Sequence, residues 1–237
     1  MSRPFRFKQF IVRQDRCAMK VGTDGVLLGA WASLEEEPNS VLDIGAGTGI
    51  ISMMMAQRCR AETIDALEID GNAYEQCVEN FEASPWADRL FCYHAGLLEF
   101  ALEIEDKYDL IVSNPPFYSE GFASGNTSRD TARQSRSLPF NELLDSASKL
   151  LSSEGVLSII VPFKEEEHLI TLASKNNLFL NRIMRVKGNP SSEIKRSLLE
   201  FGFDKKETKI DTLIIEYERH RYTTEYITLT QDFYLKM

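Results

Sequence analysis

Short apolar runs alternate with amphipathic stretches along most of this chain. Apolar residues at helical spacing predict helices, whereas short continuous runs predict buried strands. The predicted parallel strands cover residues 41–44, 64–69, 90–93, 108–112 and 156–161. The helices predicted between them cover residues 49–57, 72–83 and 141–151. Antiparallel strands that close one edge of the sheet are predicted for the later runs 179–186, 197–203 and 212–217.

Strands that alternate with helices are typical of βαβ units and a parallel sheet. The pattern therefore predicts a Rossmann-like α/β fold, with a seven-stranded, mostly parallel sheet and an antiparallel edge. Ahead of this sheet we expect a short hairpin at 8–20, followed by a helix that Thr23 and Asp24 cap. We divide the chain accordingly into an N-terminal hairpin and lid segment, 1–40, and one compact domain, 41–237.

Composition and charge indicate a folded protein with a buried core and without zinc, disulfides or a membrane anchor. An apolar content of 43% is enough for a substantial buried core. The four cysteines are scattered singly, which predicts reduced thiols and neither a disulfide framework nor a zinc site. There is no leader-like or membrane-spanning apolar run, so we expect a cytoplasmic protein. A net charge of −9 means that any binding of nucleic acid is confined to local basic clusters.

The first parallel strand leads into a glycine-rich turn and a helix, an arrangement that binds nucleoside cofactors. Gly45, Gly47 and Gly49 allow a tight turn and a close approach to a ligand, because no Cβ is in the way. Asp43 precedes the turn, and Glu68 lies near the end of the next strand, where a carboxylate can accept two ribose hydroxyls. The third glycine of a nicotinamide-binding fingerprint would fall elsewhere, which favours a different nucleoside cofactor.

The third parallel strand ends where many related cofactor sites carry an Asp against the adenine amine, and this chain has Gly96 instead. We therefore assign the adenine contact to the backbone of Gly96 and Leu97, with Glu99 as a more distant substitute. Ile69 is expected to contact the cofactor beside the ribose-binding carboxylate. Asp70, by contrast, is predicted to cap the next helix.

The fourth parallel strand ends in Asn114, Pro115, Pro116 and Phe117. Proline holds the preceding residue extended and lacks a backbone N–H, so the turn presents carbonyl oxygens. Asn114 Oδ1 and the Pro115 carbonyl are therefore predicted to accept both hydrogens of an amino group and to orient its nitrogen toward a methyl donor. Phe117 would stack on a flat acceptor. The motif fits adenine N6, cytosine N4, guanine N2 and glutamine N5 alike, and by itself it also fits a merely rigid turn.

Ser, Gly, Asn, Thr and Arg dominate the next stretch, residues 118–137. A stretch this long with so few apolar residues is usually functional or disordered. We predict that Tyr118, Arg129, Arg133 and Arg136 contact an RNA substrate, the arginines through its phosphates.

Taken together, these motifs resemble the bacterial tRNA(Val) adenine-N6 methyltransferase family. The resemblance runs over nearly the whole chain and is carried by the segments 7–10, 15–31, 43–49, 113–117 and 232–236. The first and last of these segments are the most specific to the family, whereas 43–49 and 113–117 are shared by many methyltransferases. The resemblance implies a class I methyltransferase fold, S-adenosylmethionine as cofactor, adenine 37 of tRNA(Val) as the methylated base, and no metal.

The motifs and the resemblance give one set of expected sites. Catalytic residues are expected at Asn114, Pro115, Pro116 and Phe117. Cofactor contacts are expected from Thr23, Asp43, Gly45, Gly47, Gly49, Glu68, Ile69, Gly96, Leu97 and Asn114.

Two alternatives keep the fold and change the function. A guanine-N2 methyltransferase of rRNA or a glutamine-N5 methyltransferase of proteins would use a similar Asn-Pro-Pro-aromatic site. The guanine enzymes usually carry a second domain and the glutamine enzymes an N-terminal helical bundle, and residues 1–40 are too few and too extended for the bundle. A non-catalytic binding protein would have no need of the intact motif 114–117. The oligomeric state stays open.

Overall fold

The computed structural model describes residues 3–116 and 138–236. Within these residues, one large sheet contains strands β3 to β10, and two pairs of short strands lie outside it. The strands are β1 (Phe5–Arg6), β2 (Ile11–Val12), β3 (Ser40–Ile44), β4 (Thr63–Glu68), β5 (Leu90–His94), β6 (Tyr108–Ser113), β7 (Leu151–Pro162), β8 (Phe179–Lys187), β9 (Ile194–Gly202), β10 (Lys209–Ile214), β11 (Glu216–Glu218) and β12 (Arg221–Tyr222). The α-helices are α1 (Thr23–Trp31), α2 (Ile50–Arg58), α3 (Gly71–Glu82), α4 (Leu97–Glu103), α5 (Phe140–Leu150), α6 (Glu166–Lys175) and α7 (Thr224–Thr230).

The large sheet has the strand order β10-β8-β9-β7-β6-β3-β4-β5. Neighbouring strands are parallel except where β9 pairs with β7 and with β8. The predicted mostly parallel, Rossmann-like sheet is therefore confirmed. The predicted number of seven strands is wrong, because the described sheet contains eight. The predicted antiparallel pairing toward one edge is present, because β9 runs antiparallel to both β7 and β8, but the edge strand β10 runs parallel to β8.

The chain path around β8 explains this difference. β8 and β9 form a hairpin, so β9 returns antiparallel and fills the place between β7 and β8. The chain then passes to the free side of β8, where Lys209 pairs with Arg182 and β10 runs parallel to β8. Apolar runs identify strands, but their direction depends on the connections between them.

Two cores cover the two faces of the sheet, because successive strand residues point to opposite faces. Val41 of β3 packs in a core with α1, α2 and α3, whereas Leu42 packs in a core with α4, α5 and α6. Leu110 and Ile111 of β6 divide between the two cores in the same way. This layering brings the carboxyl ends of β3, β4, β5 and β6 to one edge of the sheet, and the turns that follow them carry the candidate site.

The N-terminal hairpin is shorter than predicted and starts earlier. β1 and β2 pair through Phe5 with Val12, whereas the predicted hairpin covered 8–20. Arg13 and Arg16 bond to α3 instead, and we call residues 13–22 the docked segment. The prediction failed because the docked segment is held by side chains of α3 that lie far away in the sequence.

The two ends of the described chain pack on each other. Phe7 forms an isolated antiparallel bridge with Tyr234, and their ring centroids lie 5.8 Å apart. The backbone N–H of Lys8 donates to the Phe233 carbonyl at 2.8 Å. The two segments most specific to the family, 7–10 and 232–236, are therefore in contact.

Membrane-spanning helices and metal-binding clusters are both absent from residues 3–116 and 138–236. No helix among them combines the length and apolar character that a membrane crossing requires. No group of three or more His, Cys, Asp or Glu side chains among them is placed to hold a metal ion. All four cysteines are free thiols, as the sequence predicted.

Candidate active site

The glycine-rich turn joins the carboxyl end of β3 to α2. Gly45, Gly47 and Gly49 have positive φ angles of 76°, 58° and 75°, a region that other residues enter only with strain. The N–H groups of Gly45 and Ala46 donate to the Leu67 carbonyl at 2.9 and 3.0 Å, which fixes the turn to β4. The path of the backbone therefore favours glycine at each of these positions.

The space around these glycines differs from one to the next. A Cβ added to Gly45 or Gly47 would meet no atom within 4 Å. A Cβ added to Gly49 would lie 2.5 Å from Phe81 Cε1 and 2.8 Å from Cys77 Sγ. Gly49 therefore lets α3 pack against the start of α2, whereas Gly45 and Gly47 leave the backbone open to a ligand. The open part of the turn fits a nucleoside cofactor that approaches the backbone closely.

Glu68 ends β4 beside the open part of the turn. Its Oε2 accepts a hydrogen bond from the Gly47 N–H at 2.8 Å, and its Oε1 accepts one from the Asp70 N–H at 2.8 Å. Each carboxylate oxygen has a second lone pair, so both oxygens can also accept a ribose hydroxyl. Asp70 caps α3 as predicted, accepting from the Ala73 N–H at 3.1 Å.

Asp43 is fully buried beneath the turn. Its Oδ2 accepts hydrogen bonds from the N–H and the hydroxyl of Ser52 at 3.1 and 2.7 Å. Its Oδ1 is buried and has no hydrogen-bond partner among the described residues. Burial raises the pKa of this carboxyl to about 7, because the charged form is poorly solvated there. A buried acceptor without a partner is costly, and an amine donor of a bound cofactor would satisfy it.

An apolar corner lies between Glu68 and the end of β5. Ile69 is 59% exposed, and a Cβ added to Gly96 would lie 3.8 Å from Ile69 Cδ1. Gly96 precedes α4, and Leu97 in its first turn is buried. His94 Nε2 donates to the Ile69 carbonyl at 3.1 Å and fixes this corner. The residues predicted to contact adenine therefore lie together, and Ile69 presents an apolar surface to solvent.

The acceptor motif follows β6, the strand next to β3. Ser113 pairs with Ile44 in parallel register, and its hydroxyl donates to the Ile44 carbonyl at 2.9 Å. The next residues of the two segments are Asn114 and Gly45, so the acceptor motif starts beside the glycine turn. The parallel register thus brings the two predicted motifs to the same edge of the sheet.

The described part of the acceptor motif ends at Pro116. Asn114 and Pro116 are half-buried, and Pro115 is buried. The predicted substrate contacts outside the described residues are Phe117, Tyr118, Arg129, Arg133 and Arg136. Their roles stay predictions.

Thr23 lies at the other side of the turn, where α1 meets α2. It is exposed at the start of α1, and a Cβ added to Gly25 would lie 3.4 Å from Ile50 Cγ2. The predicted capping role is wrong, since no side chain caps α1. Asp24 instead forms an ion pair with Arg196 of β9 at 2.8 Å.

Asn80 and Gln76 of α3 hold the docked segment, and the sequence reasoning missed both. Asn80 Oδ1 accepts from the Arg13 N–H at 2.8 Å, and Nδ2 donates to the Arg13 and Thr48 carbonyls, both at 2.9 Å. Gln76 Oε1 accepts from the Arg16 N–H at 3.1 Å. A sequence signal did exist, because both polar residues occupy the buried stripe of an amphipathic helix.

The sequence of this chain is similar to those of known methyltransferases. The family model of the methyltransferase small domain matches residues 25–174. A tRNA1(Val) (adenine(37)-N6)-methyltransferase of Christiangramia forsetii is 60% identical over 100% of this chain and 99% of its own length. A protein of the same name from Pectobacterium carotovorum is 43% identical over 98% of this chain and 94% of its own length.

Solved structures show the same fold at low sequence identity. A predicted O-methyltransferase of Agrobacterium tumefaciens aligns with a TM-score of 0.65 and 20% identity, over 89% of this chain and 96% of that protein. A putative RNA methyltransferase of Pyrococcus horikoshii aligns with a TM-score of 0.54 and 18% identity, over 74% of this chain and 80% of that protein. The class I methyltransferase fold is thereby confirmed. Because full-length relatives of that name are 60 and 61% identical to it, this chain belongs to the tRNA1(Val) (adenine(37)-N6)-methyltransferase family.

Proposed function

We propose that this protein transfers a methyl group from S-adenosylmethionine to the N6 amine of adenine 37 in tRNA(Val). The observation that carries the proposal is the placement of Asn114 beside the glycine turn, because it puts an amine-binding motif next to a nucleoside site. The full-length relatives, which are named for this reaction, support the choice of substrate. A tRNA substrate also implies that the reaction takes place in the cytoplasm.

The residues around the glycine turn fit S-adenosylmethionine. Glu68 would accept the ribose hydroxyls, and the open backbone at Gly45 and Gly47 would approach the cofactor closely. Ile69 and the backbone of Gly96 would contact the adenine ring. When bound, the cofactor supplies an electrophilic methyl group on its sulfonium.

Asn114 and Pro115 would hold the acceptor. Asn114 Oδ1 and the Pro115 carbonyl would each accept one hydrogen of the adenine amine, which reduces conjugation of the nitrogen with the ring and directs its lone pair. A base stacked in an anticodon loop cannot enter a pocket, so it must be extruded first. Phe117 would then stack on the extruded base, and this role stays a prediction.

A guanine-N2 or glutamine-N5 acceptor presents the same amine chemistry to Asn114. Product identity therefore has to be measured directly. The protein is incubated with S-adenosylmethionine and unmodified tRNA(Val), and the digested nucleosides are analysed by mass spectrometry. We expect N6-methyladenosine, and none from a tRNA(Val) with guanine at position 37. Methylated guanine, or methylated protein glutamine without N6-methyladenosine, would refute the substrate assignment.

Glu68 provides a separate test of the cofactor site. Glu68→Ala should weaken the binding of S-adenosylhomocysteine by about 1–3 kcal/mol, the scale of lost hydrogen bonds to a charged group. Glu103→Ala is a suitable control, since Glu103 is an exposed carboxylate at the end of α4 and has no predicted contact with the cofactor. Calorimetry that gives the same affinity for Glu68→Ala and the unaltered protein would argue against this role for Glu68.

A further inference from the structure

A buried amide on α3 connects the glycine turn with the docked segment. Asn80 is 1% exposed, and its amide hydrogen-bonds with three backbone groups. Two of these groups, the N–H and the carbonyl of Arg13, belong to the docked segment. The third is the carbonyl of Thr48 in the glycine turn. The Asn80 side chain therefore hydrogen-bonds to backbone groups of two segments that are distant in sequence. Both hydrogens of its amide are used in these bonds.

The bond to Thr48 acts on the conformation of the turn. Thr48 is buried and lies between Gly47 and Gly49. Fixing its carbonyl fixes the peptide plane that leads into Gly49. Glycines have many accessible conformations, so a bond that selects one of them reduces the ordering that a ligand must otherwise impose.

The docked segment also carries a buried thiol. Cys17 of this segment is buried. Burial, together with the nearby charges of Glu68 and Asp70, raises the pKa of its thiol to about 12. Alkylation of this buried thiol therefore reports whether the docked segment stays packed.

Other contacts of the segment do not reach the glycine turn. Gln76 accepts only from the Arg16 N–H within this segment. The Arg16 side chain pairs with Glu75 at 3.2 Å and Glu79 at 2.9 Å, and these side chains are 35–65% exposed. Exposed ion pairs contribute little to stability. Asn80 is thus the described side chain that bonds to both segments.

We propose that Asn80 is a positioning residue, which couples the docked segment to the glycine turn and thereby sets the affinity for the cofactor. The inference rests on the proposed function, because it takes the turn to be the S-adenosylmethionine site. Asn80 lies beneath the turn and acts through the backbone of Thr48 and Arg13.

Asn80→Asp is the most direct test, because Asp has the same shape as Asn. The change replaces both N–H donors with an oxygen that faces two carbonyl oxygens. We expect S-adenosylhomocysteine to bind about ten-fold more weakly by calorimetry, a loss on the scale of one or two hydrogen bonds. In the protein without cofactor, Cys17 should be alkylated faster, as measured by mass spectrometry of its peptide. The kcat at saturating cofactor should change little while KM for the cofactor rises.

Gln76→Ala is the matched control, since it loosens the docked segment without touching the turn. It should weaken S-adenosylhomocysteine binding less than Asn80→Asp does. Asn80→Ser, which is uncharged and smaller, gives the same comparison if thermal unfolding shows that Asn80→Asp is not folded. If the folded Asn80 variant keeps the affinity for S-adenosylhomocysteine or the Cys17 alkylation rate of the unaltered protein, the proposal is overturned. It is also overturned if Gln76→Ala weakens S-adenosylhomocysteine binding as much as the Asn80 variant does. Failure of the unaltered protein to bind S-adenosylhomocysteine would instead overturn the proposed function.

Discussion

Asn114 is the residue whose single hydrogen bond matters most to the proposed chemistry. Asn114→Ala should lower the single-turnover rate by about 100-fold or more, the usual effect of removing one preorganised group from a transition state. The affinity for tRNA should change little, because phosphate contacts supply most of it. Rapid-quench methylation and filter binding measure the two quantities. A wild-type rate in Asn114→Ala would exclude the mechanism.

Asp43 gives the folded protein a pH dependence of its own. Its pKa is raised by burial to about 7, whereas an unfolded Asp titrates near about 3.9. Between these values the folded state binds more protons at this group, so the free energy of unfolding falls as the pH rises. The stability that protonated Asp43 contributes is fully present below about pH 4 and is lost by about pH 7.

Asp43→Asn removes this titration and keeps an acceptor for Ser52. The loss of stability between about pH 4 and about pH 7 should therefore be smaller in the variant than in the unaltered protein. Urea unfolding at several pH values measures this difference, and other groups cancel because they are common to both proteins. The same pH dependence in both proteins would show that Asp43 is already ionised at low pH in the fold.

At the scale of elements, glycine serves two purposes in the turn. Gly49 allows α3 to pack against it, and Gly47 leaves space for a ligand. Gly49→Ala should lower the free energy of unfolding by about 2–4 kcal/mol, because it adds left-handed strain and a clash with Phe81. Gly47→Ala adds only the strain, about 1–2 kcal/mol, because its Cβ would meet no atom within 4 Å.

The same pair of variants separates folding from cofactor binding. Gly47→Ala should strongly weaken the binding of S-adenosylhomocysteine although it lowers stability only a little. The added methyl would occupy the space that faces the ligand. Denaturant unfolding of the two variants measures the free energy of unfolding, and calorimetry measures their affinity for S-adenosylhomocysteine. Equal losses of stability in the two variants would contradict the packing difference seen around the turn.

At the scale of the whole molecule, the chain ends stabilise each other through aromatic packing. Tyr234 lies against Phe5 and Phe7, with ring centroids 6.2 and 5.8 Å apart. Tyr234→Ala should lower the free energy of unfolding by about 3 kcal/mol. It should also speed hydrogen exchange in β1 and β2. Tyr234→Phe keeps the ring and should cost much less, and an equal loss in both variants would assign the effect to the hydroxyl.

The sequence by itself determined the central strands, the helices α2, α3 and α5, and the two motifs at the strand ends, whereas α4 and α6 were not predicted. Local patterns were sufficient there, because a strand with one side in each core must be apolar along its length and a tight turn must contain glycine. The cap at Asp70 followed for the same reason, since it involves residues only a few positions apart.

Tertiary structure alone decided the features that join distant segments. The direction of β10 is set by the connection that carries the chain to the free side of β8. The position of the docked segment is set by Asn80, which lies 67 positions from Arg13 in the sequence. The contact of Phe7 with Tyr234 likewise required both chain ends to meet. Apolar periodicity reports which residues are buried and not which partner buries them, so only the folded chain fixes these pairings.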